Sequence, residues 1–266
     1  MRKRLLITGA AGALGRLSWA LEGRVAAQLR LTDITPIKDA PRQTETVVCD
    51  LADEAGVSAM VTGCDAILHL GGVSTEQPFP DILQANLIGL HNLYEAARIE
   101  GISRIFLASS NHVVGYYEQT EHLSGNAPHK PDGWYGISKS YAEAVAVMYW
   151  HKFGIETAIV RIGSCFPEPK DHRMLASWLA PEDYLSLVDR VFAVPRLGCP
   201  VIWGVSDNDN RWWDNSAVEW LGWRPKRNSA EFADKIAATV PPPAPDHAMA
   251  RWQGGAFTLE PVKKHK

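Results

Sequence analysis

The sequence predicts a doubly wound α/β fold, a parallel sheet with helices on both faces and a small C-terminal lobe. Three observations predict it. Short apolar runs alternate with segments of helical period up to about residue 163 of 266, as repeated βαβ units do. The first run, Leu5-Leu6-Ile7, enters a helix through Thr8-Gly9-Ala10-Ala11-Gly12-Ala13-Leu14-Gly15. Small polar residues gather directly after the later runs, where open parallel sheets hold their ligands.

The glycine stretch makes the sheet Rossmann-like. Gly9 suits the tight turn, Gly12 lets the main chain approach a pyrophosphate, and Gly15 lets helix and strand pack closely. The N–H groups at the helix start, around Ala13 and Leu14, face the phosphates with the favourable end of the dipole. A plain glycine turn is the alternative, and the position between strand and helix favours the cofactor.

A second strand ends in Leu29-Arg30-Leu31-Thr32-Asp33, followed by Ile34 at the same site. A carboxylate at Asp33 can accept from the adenosine ribose hydroxyls and repels a 2′-phosphate, so NAD is expected over NADP. The bland reading is a strand-end turn residue. Thr46-Val47-Val48-Cys49 is the third strand, with Asp50-Leu51 after it; Asp50 either reaches the adenine amino group or caps a helix beginning near Asp53. The fourth strand, Ala66-Ile67-Leu68-His69-Leu70, is closed by Gly71-Gly72, which let the chain lie against the middle of the cofactor. Ser74 then faces the pocket mouth, and His69 reads as a satisfied core histidine.

A helix follows over 81–99, with Ile82, Leu90, Leu93 and Ala97 on one stripe. Asn86 shares that stripe and must find a partner or cost about 1–3 kcal/mol. It either bonds a loop near the cofactor or serves structure alone. Arg104-Ile105-Phe106-Leu107-Ala108 is the fifth strand, running into Ser109-Ser110-Asn111-His112. After a polar loop comes the helix of Tyr135 and Lys139, then the sixth strand, Ile155 to Ile162, and Gly163-Ser164.

Past Gly163 the repeat breaks down. A loop (167–173), a helix (181–194) and the short strand Val201-Ile202-Trp203 read as a substrate lobe. Trp212, Trp213, Trp220 and Trp223 read as core and interface filling. Pro241-Pro242-Pro243 ends the regular structure, leaving an arm that packs on its own or a neighbouring subunit. The expectation is one domain over 1–266, with 1–163 mainly binding cofactor and 164–266 mainly substrate lobe and arm, in a homo-oligomer.

Composition narrows the function. A 46% hydrophobic share supports a large core, and a net charge of −3 without a basic block argues against nucleic acid. Lys263, Lys264 and Lys266 read as a solvated tail. Met1-Arg2-Lys3-Arg4 before an apolar run imitates a secretory signal, but three glycines interrupt it. Nothing approaches the ~20 apolar residues of a membrane span. Cys49, Cys64, Cys165 and Cys199 form no C-x-x-C pair, so no metal is expected and a reducing cytoplasm is the default.

Tyr135 and Lys139 are four apart on one helix face. A phenol with its ordinary pKa of about 10 is a poor base, and a nearby ammonium favours the phenolate. Ser110 at a strand end offers a hydroxyl to the reacting oxygen. Together they suit removal of a hydroxyl proton while hydride passes to a nicotinamide.

These residues carry a resemblance. Thr8–Gly15, Asp33, Ser109-Ser110 and Tyr135-x-x-x-Lys139 resemble the short-chain dehydrogenase/reductase superfamily. Asn86-x-x-Gly89-x-x-Asn92-Leu93-x-Glu95-Ala96-Ala97 resembles its extended branch. Ser109–His112, Arg161-Ile162-Gly163-Ser164-Cys165-x-Pro167-Glu168-Pro169, Arg173-Met174-Leu175 and Trp212-Trp213-Asp214-Asn215 resemble the uronate dehydrogenase family over nearly the whole chain. The resemblance implies NAD-dependent oxidation of galacturonate or glucuronate at C1 to an aldarolactone. It implies Tyr135 as base, Lys139 and Ser110 as helpers, and Ser74, Asn111, His112, Ser164 and Arg173 on the sugar acid. One point stands apart from it: a uronate needs a cation, and Arg173 offers a bidentate fork in a loop that can reach the pocket. The alternatives are a surface arginine paired with Glu168 or Asp171, and for His112 a turn histidine.

Two other functions share the fold. A nucleotide-sugar epimerase or dehydratase with bound NAD usually has a larger C-terminal lobe and accumulates no NADH. A non-catalytic NAD-sensing protein commonly lacks the tyrosine or lysine, and both are intact here.

Overall fold

The computed structural model describes residues 2–42 and 44–263. Six strands lie where the apolar runs place them: β1 (Arg2–Thr8), β2 (Ala26–Asp33), β3 (Glu45–Val48), β4 (Ala66–His69), β5 (Arg104–Ser110) and β6 (Glu156–Ile162). Two short strands, β7 (Ser164–Cys165) and β8 (Trp178–Leu179), pair with each other, and β9 (Val201–Gly204) joins the main sheet. That sheet is wholly parallel, in the order β3-β2-β1-β4-β5-β6-β9.

Both faces of the central strands are covered, which is why their runs are apolar rather than alternating, whereas the edge strand β3 is mostly exposed. Leu5 and Ile7 of β1 point into one layer and Leu6 into the other, all fully buried. The first layer takes α7 (Pro181–Ala193) through Leu187 and Val191, and the second takes α2 (Glu54–Val61), α4 (Gly89–Ile99) and α5 (Trp134–Phe153). The chain leaves β1 on one side through the short helix α1 (Ala13–Ser18) and returns on the other at β4. The crevice between those loops is the topological switch point, where ligands of such sheets bind.

Several expectations change. The 81–99 helix is three pieces: α3 (Phe79–Ile82), a π-helical turn (Leu83–Ile88) and α4. Val201–Gly204 is the edge strand beside β6, because Ile202 fills one core layer and Trp203 the cluster beneath the C-terminal segment. The residues past 163 therefore return to the main sheet as well as forming a wall beside it. Trp203 and Trp213 stack at 4.9 Å and Trp212 meets Trp213 edge-on, whereas Trp220 is 53% exposed and fills no core.

The C-terminal arm folds onto its own chain. After α6 (Met174–Ser177), α7 and α8 (Ala233–Thr239) come α9 (Ala248–Arg251) and a 3₁₀ turn over Gly255–Leu259. The Gln253 and Gly254 amides donate to the Tyr117 and Gly115 carbonyls at 2.8 and 2.9 Å. Lys263 is no solvated tail residue, since its Nζ donates to the Glu76 carbonyl at 2.8 Å. Met1, Lys264 and Lys266 lie outside the described residues.

Candidate active site

A cavity of about 750 Å³ opens along the carboxyl ends of the strands. Gly9 has φ of +66°, and an added Cβ would lie 2.8 Å from the Leu70 carbonyl and the Gly71 amide. At Gly15 it would lie 2.2 Å from the Gly9 oxygen, so only glycine lets α1 sit this close to β1. Gly12, Ala13, Leu14, Leu70, Gly71 and Gly72 line the same stretch, and the bare main chain there fits a pyrophosphate. Asp33 ends β2 at the rim beside Ile34, one oxygen accepting from the Ala11 amide at 3.0 Å and the other from Thr35. Asp50 and Leu51 complete this end. The Asp50 side chain accepts from the Ala52 amide at 2.9 Å and does not cap α2, whose N-cap is Asp53.

Two expected residues sit behind the wall. Asn86 lies outside the cavity lining and bonds Val73 through both main-chain groups, at 2.7 and 3.0 Å, and the Ser138 hydroxyl at 2.9 Å. It thereby shapes the loop that carries Ser74. His69 is a satisfied core histidine. The Thr8 hydroxyl accepts from the Leu70 and Gly71 amides and so donates to His69 Nδ1 at 2.8 Å. Burial, with Lys139 adding, pushes that imidazole down to about 3 and keeps it neutral.

At the β5 end stand Ser110, Tyr135 and Lys139. Lys139 Nζ donates to the Ala108 carbonyl at 2.9 Å and lies 5.7 Å from the centre of the Tyr135 ring. Burial pushes this ammonium down to about 8, so it is charged at pH 7 and loses its proton as the pH rises through that value. Tyr135 departs from the expectation of an activated phenol. Burial, with the Asp132 charge adding, pushes it up to about 12 against the pull of the Ser110 hydroxyl.

The β6 side carries the charge. Arg173 Nε donates to the Gln253 carbonyl at 2.7 Å, and its Nη1 lies 3.5 Å from the Ser164 hydroxyl. With the Asn111 amide oriented to satisfy its neighbours, it accepts from Arg173 at 2.8 Å and donates to the Ile162 carbonyl at 3.2 Å. The surface pairings do not occur. Glu168 pairs with Lys235, and Asp171 accepts from the Met174 amide. Among the described residues no carboxylate lies within salt-bridge distance of Arg173, although burial opposes its charge. A half-buried guanidinium that faces a cavity, favoured by the charges of Asp171 and Asp132 but in direct salt-bridge contact with no carboxylate among the described residues, has room to receive an anion. Ser74, Ser110, Asn111, His112, Ile162 and Ser164 line this end with it.

Sequence reasoning passed over several residues here. Glu76 caps α5, accepting from the Trp134 and Tyr135 amides at 3.1 and 2.9 Å. Asp132 accepts from His112 Nδ1 at 2.7 Å, so His112 is no mere turn residue. Phe257 of the arm stacks on the His112 ring at 3.8 Å, and Gly254 and Ala256 line the cavity beside it. Beneath lies a buried ion cluster. Glu143, one turn beyond Lys139, accepts from Ser109 at 2.6 Å and from Arg161 at 2.9 and 2.8 Å, and pairs with His129 at 3.0 Å. Burial works against its charge, yet His129, Arg161 and Ser109 hold the carboxyl down at about 2. The Y-x-x-x-K spacing could have found Glu143, since it continues i+4 on the same face; nothing local marks Asp132 or Phe257.

Residues 5–181 match the family model described as the NAD dependent epimerase/dehydratase family. The uronate dehydrogenase of Agrobacterium fabrum is 55% identical over 262 residues, covering 98% of this chain and 99% of that one. The crystal structure of a tyrosine-to-alanine mutant of uronate dehydrogenase from Agrobacterium tumefaciens, complexed with NAD, superposes with a TM-score of 0.97. It has 54% identity and covers 99% of both chains. A glucuronic acid dehydrogenase structure from Chromohalobacter salexigens gives a TM-score of 0.96 at 47% identity, over 98% of each chain.

Proposed function

The chain belongs to the NAD dependent epimerase/dehydratase family and, within it, to the uronate dehydrogenases, and from that membership we propose how its residues act. It is an NAD-dependent dehydrogenase of hexuronates. The proposal is that the C1 hydroxyl of galacturonate or glucuronate is oxidised, with Tyr135 as general base, to give the aldarolactone.

NAD, when bound, would supply the hydride acceptor. Gly9, Gly12, Ala13, Leu14 and Gly15 hold its pyrophosphate in this reading. Asp33 and Ile34 take the adenosine ribose, Asp50 and Leu51 the adenine, and Leu70, Gly71, Gly72 and Ile162 the middle and nicotinamide. Asn86 acts from behind, through the Val73 loop. Tyr135 removes the proton from the C1 hydroxyl while Ser110 bonds the same oxygen. Lys139, a charged neighbour one turn along, is placed where an ammonium favours the phenolate. Ser74, Asn111, His112 and Ser164 bond the ring hydroxyls, and Arg173 takes the C6 carboxylate.

The observation that carries this reading is Arg173, half-buried at the β6 end, lining the cavity and making no direct salt bridge among the described residues. The test is NADH absorbance with galacturonate, glucuronate, galactose and glucose. NADH should accumulate with the uronates and hardly with the neutral sugars; equal rates would remove the uronate assignment. The single-domain division at 163 and the homo-oligomer belong to the same proposal. The oligomer is supported by exposed Ile137, Val147, Met148 and Phe153 along α5 and is tested by light scattering. Among the described residues no helix is long and apolar enough to cross a membrane.

A further inference from the structure

Asp132 is an expensive residue to keep. Its side chain is 1% exposed, Oδ2 bonds the His112 ring, and Oδ1 has no hydrogen-bond partner among the described residues. A buried carboxylate oxygen without a partner costs stability that a neutral side chain of similar shape would not. Three segments nevertheless close on this carboxylate. A Cβ on Gly115, after β5, would fall 2.0 Å from Asp132 Oδ2, and one on Gly254, in the C-terminal arm, 2.1 Å from the same atom. A Cβ on Gly136, in the first turn of α5, would fall 3.2 Å from Oδ1. The Gly254 amide also bonds the Gly115 carbonyl at 2.9 Å, so the box around Asp132 is tied shut.

Among the described residues, the side chain this carboxylate hydrogen-bonds is His112, which faces the cavity. His112 is held edge-on to Tyr135 at 5.8 Å and stacked on Phe257 at 3.8 Å, which fixes the ring plane but not its protonation. An ionised carboxylate can only accept, so the imidazole donates from Nδ1 and its Nε2 keeps the lone pair. Burial lowers the proton affinity of His112 while Asp132 works against that, consistent with a neutral ring whose tautomer is chosen by its partner.

We infer that Asp132 is a positioning residue for substrate: it fixes His112 as the Nδ1–H tautomer, so that Nε2 accepts a hydrogen bond from a ring hydroxyl of the sugar acid. This rests on the reading of His112 as a substrate contact. Arg173 reads the carboxylate, and the Asp132–His112 pair reads a hydroxyl and sets the direction of its bond. Asp132 acts through His112 and touches neither sugar nor cofactor.

The test is a double-mutant cycle of Asp132→Asn and His112→Gln, with KM for galacturonate and Kd for NAD measured in each variant. Asp132→Asn keeps the shape and removes the charge; KM should rise about tenfold, as the loss of one charge-assisted bond predicts. NAD affinity should stay at the parental value. In the His112→Gln background the same substitution should add less than about twofold, because its route to the substrate is gone. Equal effects of Asp132→Asn in both backgrounds, or a parental KM, would overturn the inference. If Asp132→Asn does not fold, ¹⁵N resonances of His112 in the NAD-loaded parent decide it. Protonated Nδ1 with bare Nε2 supports the assignment, and the reverse tautomer refutes it. A parent that oxidises no uronate would sink the uronate reading instead, and the tautomer measurement would still decide the role of Asp132.

Discussion

At the end of the cavity bounded by β1, β2 and β4, the wall is glycines and main chain among small and apolar side chains such as Ala13, Leu14 and Leu70, with the carboxylates of Asp33 and Asp50 at the rim. At the β5 and β6 end it is side chains, most of them buried: Tyr135, Lys139, His112 with Asp132, and Arg173 with Asn111 and Ser164. The first end depends on what is absent, a Cβ at Gly9 or Gly15. The second depends on what is present and on how burial bends its proton affinities. Changes at the first end should therefore act through cofactor affinity and local packing, and changes at the second through turnover, substrate choice and pH.

The largest expected effect is at Tyr135. Tyr135→Phe keeps the ring in its buried socket, so melting temperature and NAD affinity should hold while kcat falls about 10²–10⁴-fold. Near-parental turnover in the folded variant would show that the base lies elsewhere. Second is the ion cluster under this end. Glu143→Gln leaves Arg161 buried and half-paired, a change worth roughly 3–5 kcal/mol in urea unfolding at pH 7. The folded carboxyl sits at about 2, below its unfolded value near 4.3, so its contribution is fully present above that value. The gap between parent and variant should hold from pH 7 to about 5 and close as the pH falls toward 2. A gap independent of pH would mean that the Glu143 charge is not what stabilises the cluster.

Arg173→Ala comes third. It should reduce the preference for galacturonate over galactose in kcat/KM by roughly 10–150-fold, with NAD affinity little changed. Arg173→Lys should restore part of it, because an ammonium lacks the planar fork. An unchanged ratio would assign the carboxylate to another group. The smallest effect, about tenfold in the ratio of NAD to NADP efficiency, is expected for Asp33→Ala. Since Asp33 also holds the Ala11 amide, the variant should lose some NAD affinity as well as discrimination. Equal use of both cofactors by the parent would sharpen the comparison against the carboxylate.

The same contrast explains what could be read from the sequence. The glycine end is written in eight consecutive residues, because a turn, a close approach and a helix contact are each local demands on φ or on the size of one side chain. Asp33 follows at the end of the next strand, which the parallel topology brings alongside. The side-chain end is assembled from distant residues. Arg173 was legible through the family resemblance, and independently because an anionic substrate demands a cation. Asp132 and Phe257 reach His112 from 20 and 145 residues away, with no periodicity to mark them. β9 was found as a strand but read as part of the substrate lobe rather than as an edge of the main sheet, since a three-residue apolar run does not say which strand it will pair with. Asn86 was seen as a polar residue on an apolar stripe; that its partner is Val73 depended on the π-helical turn, which no propensity announces.

That turn settles a question of phase. Ile82 and Leu90 are both 1% exposed, and eight residues of regular helix, at about 100° each, would leave them roughly 80° apart. The wider i→i+5 turn over Leu83–Ile88 absorbs one residue, so the eight advance like seven and fall only about 20° short of two full turns. The helix thus carries one residue in excess of its own repeat, spent where Asn86 must face the Val73 loop. Deleting a single residue from this stretch leaves a regular helix in the same register, whereas the same deletion in α4 rotates every buried side chain on one side of it out of the core.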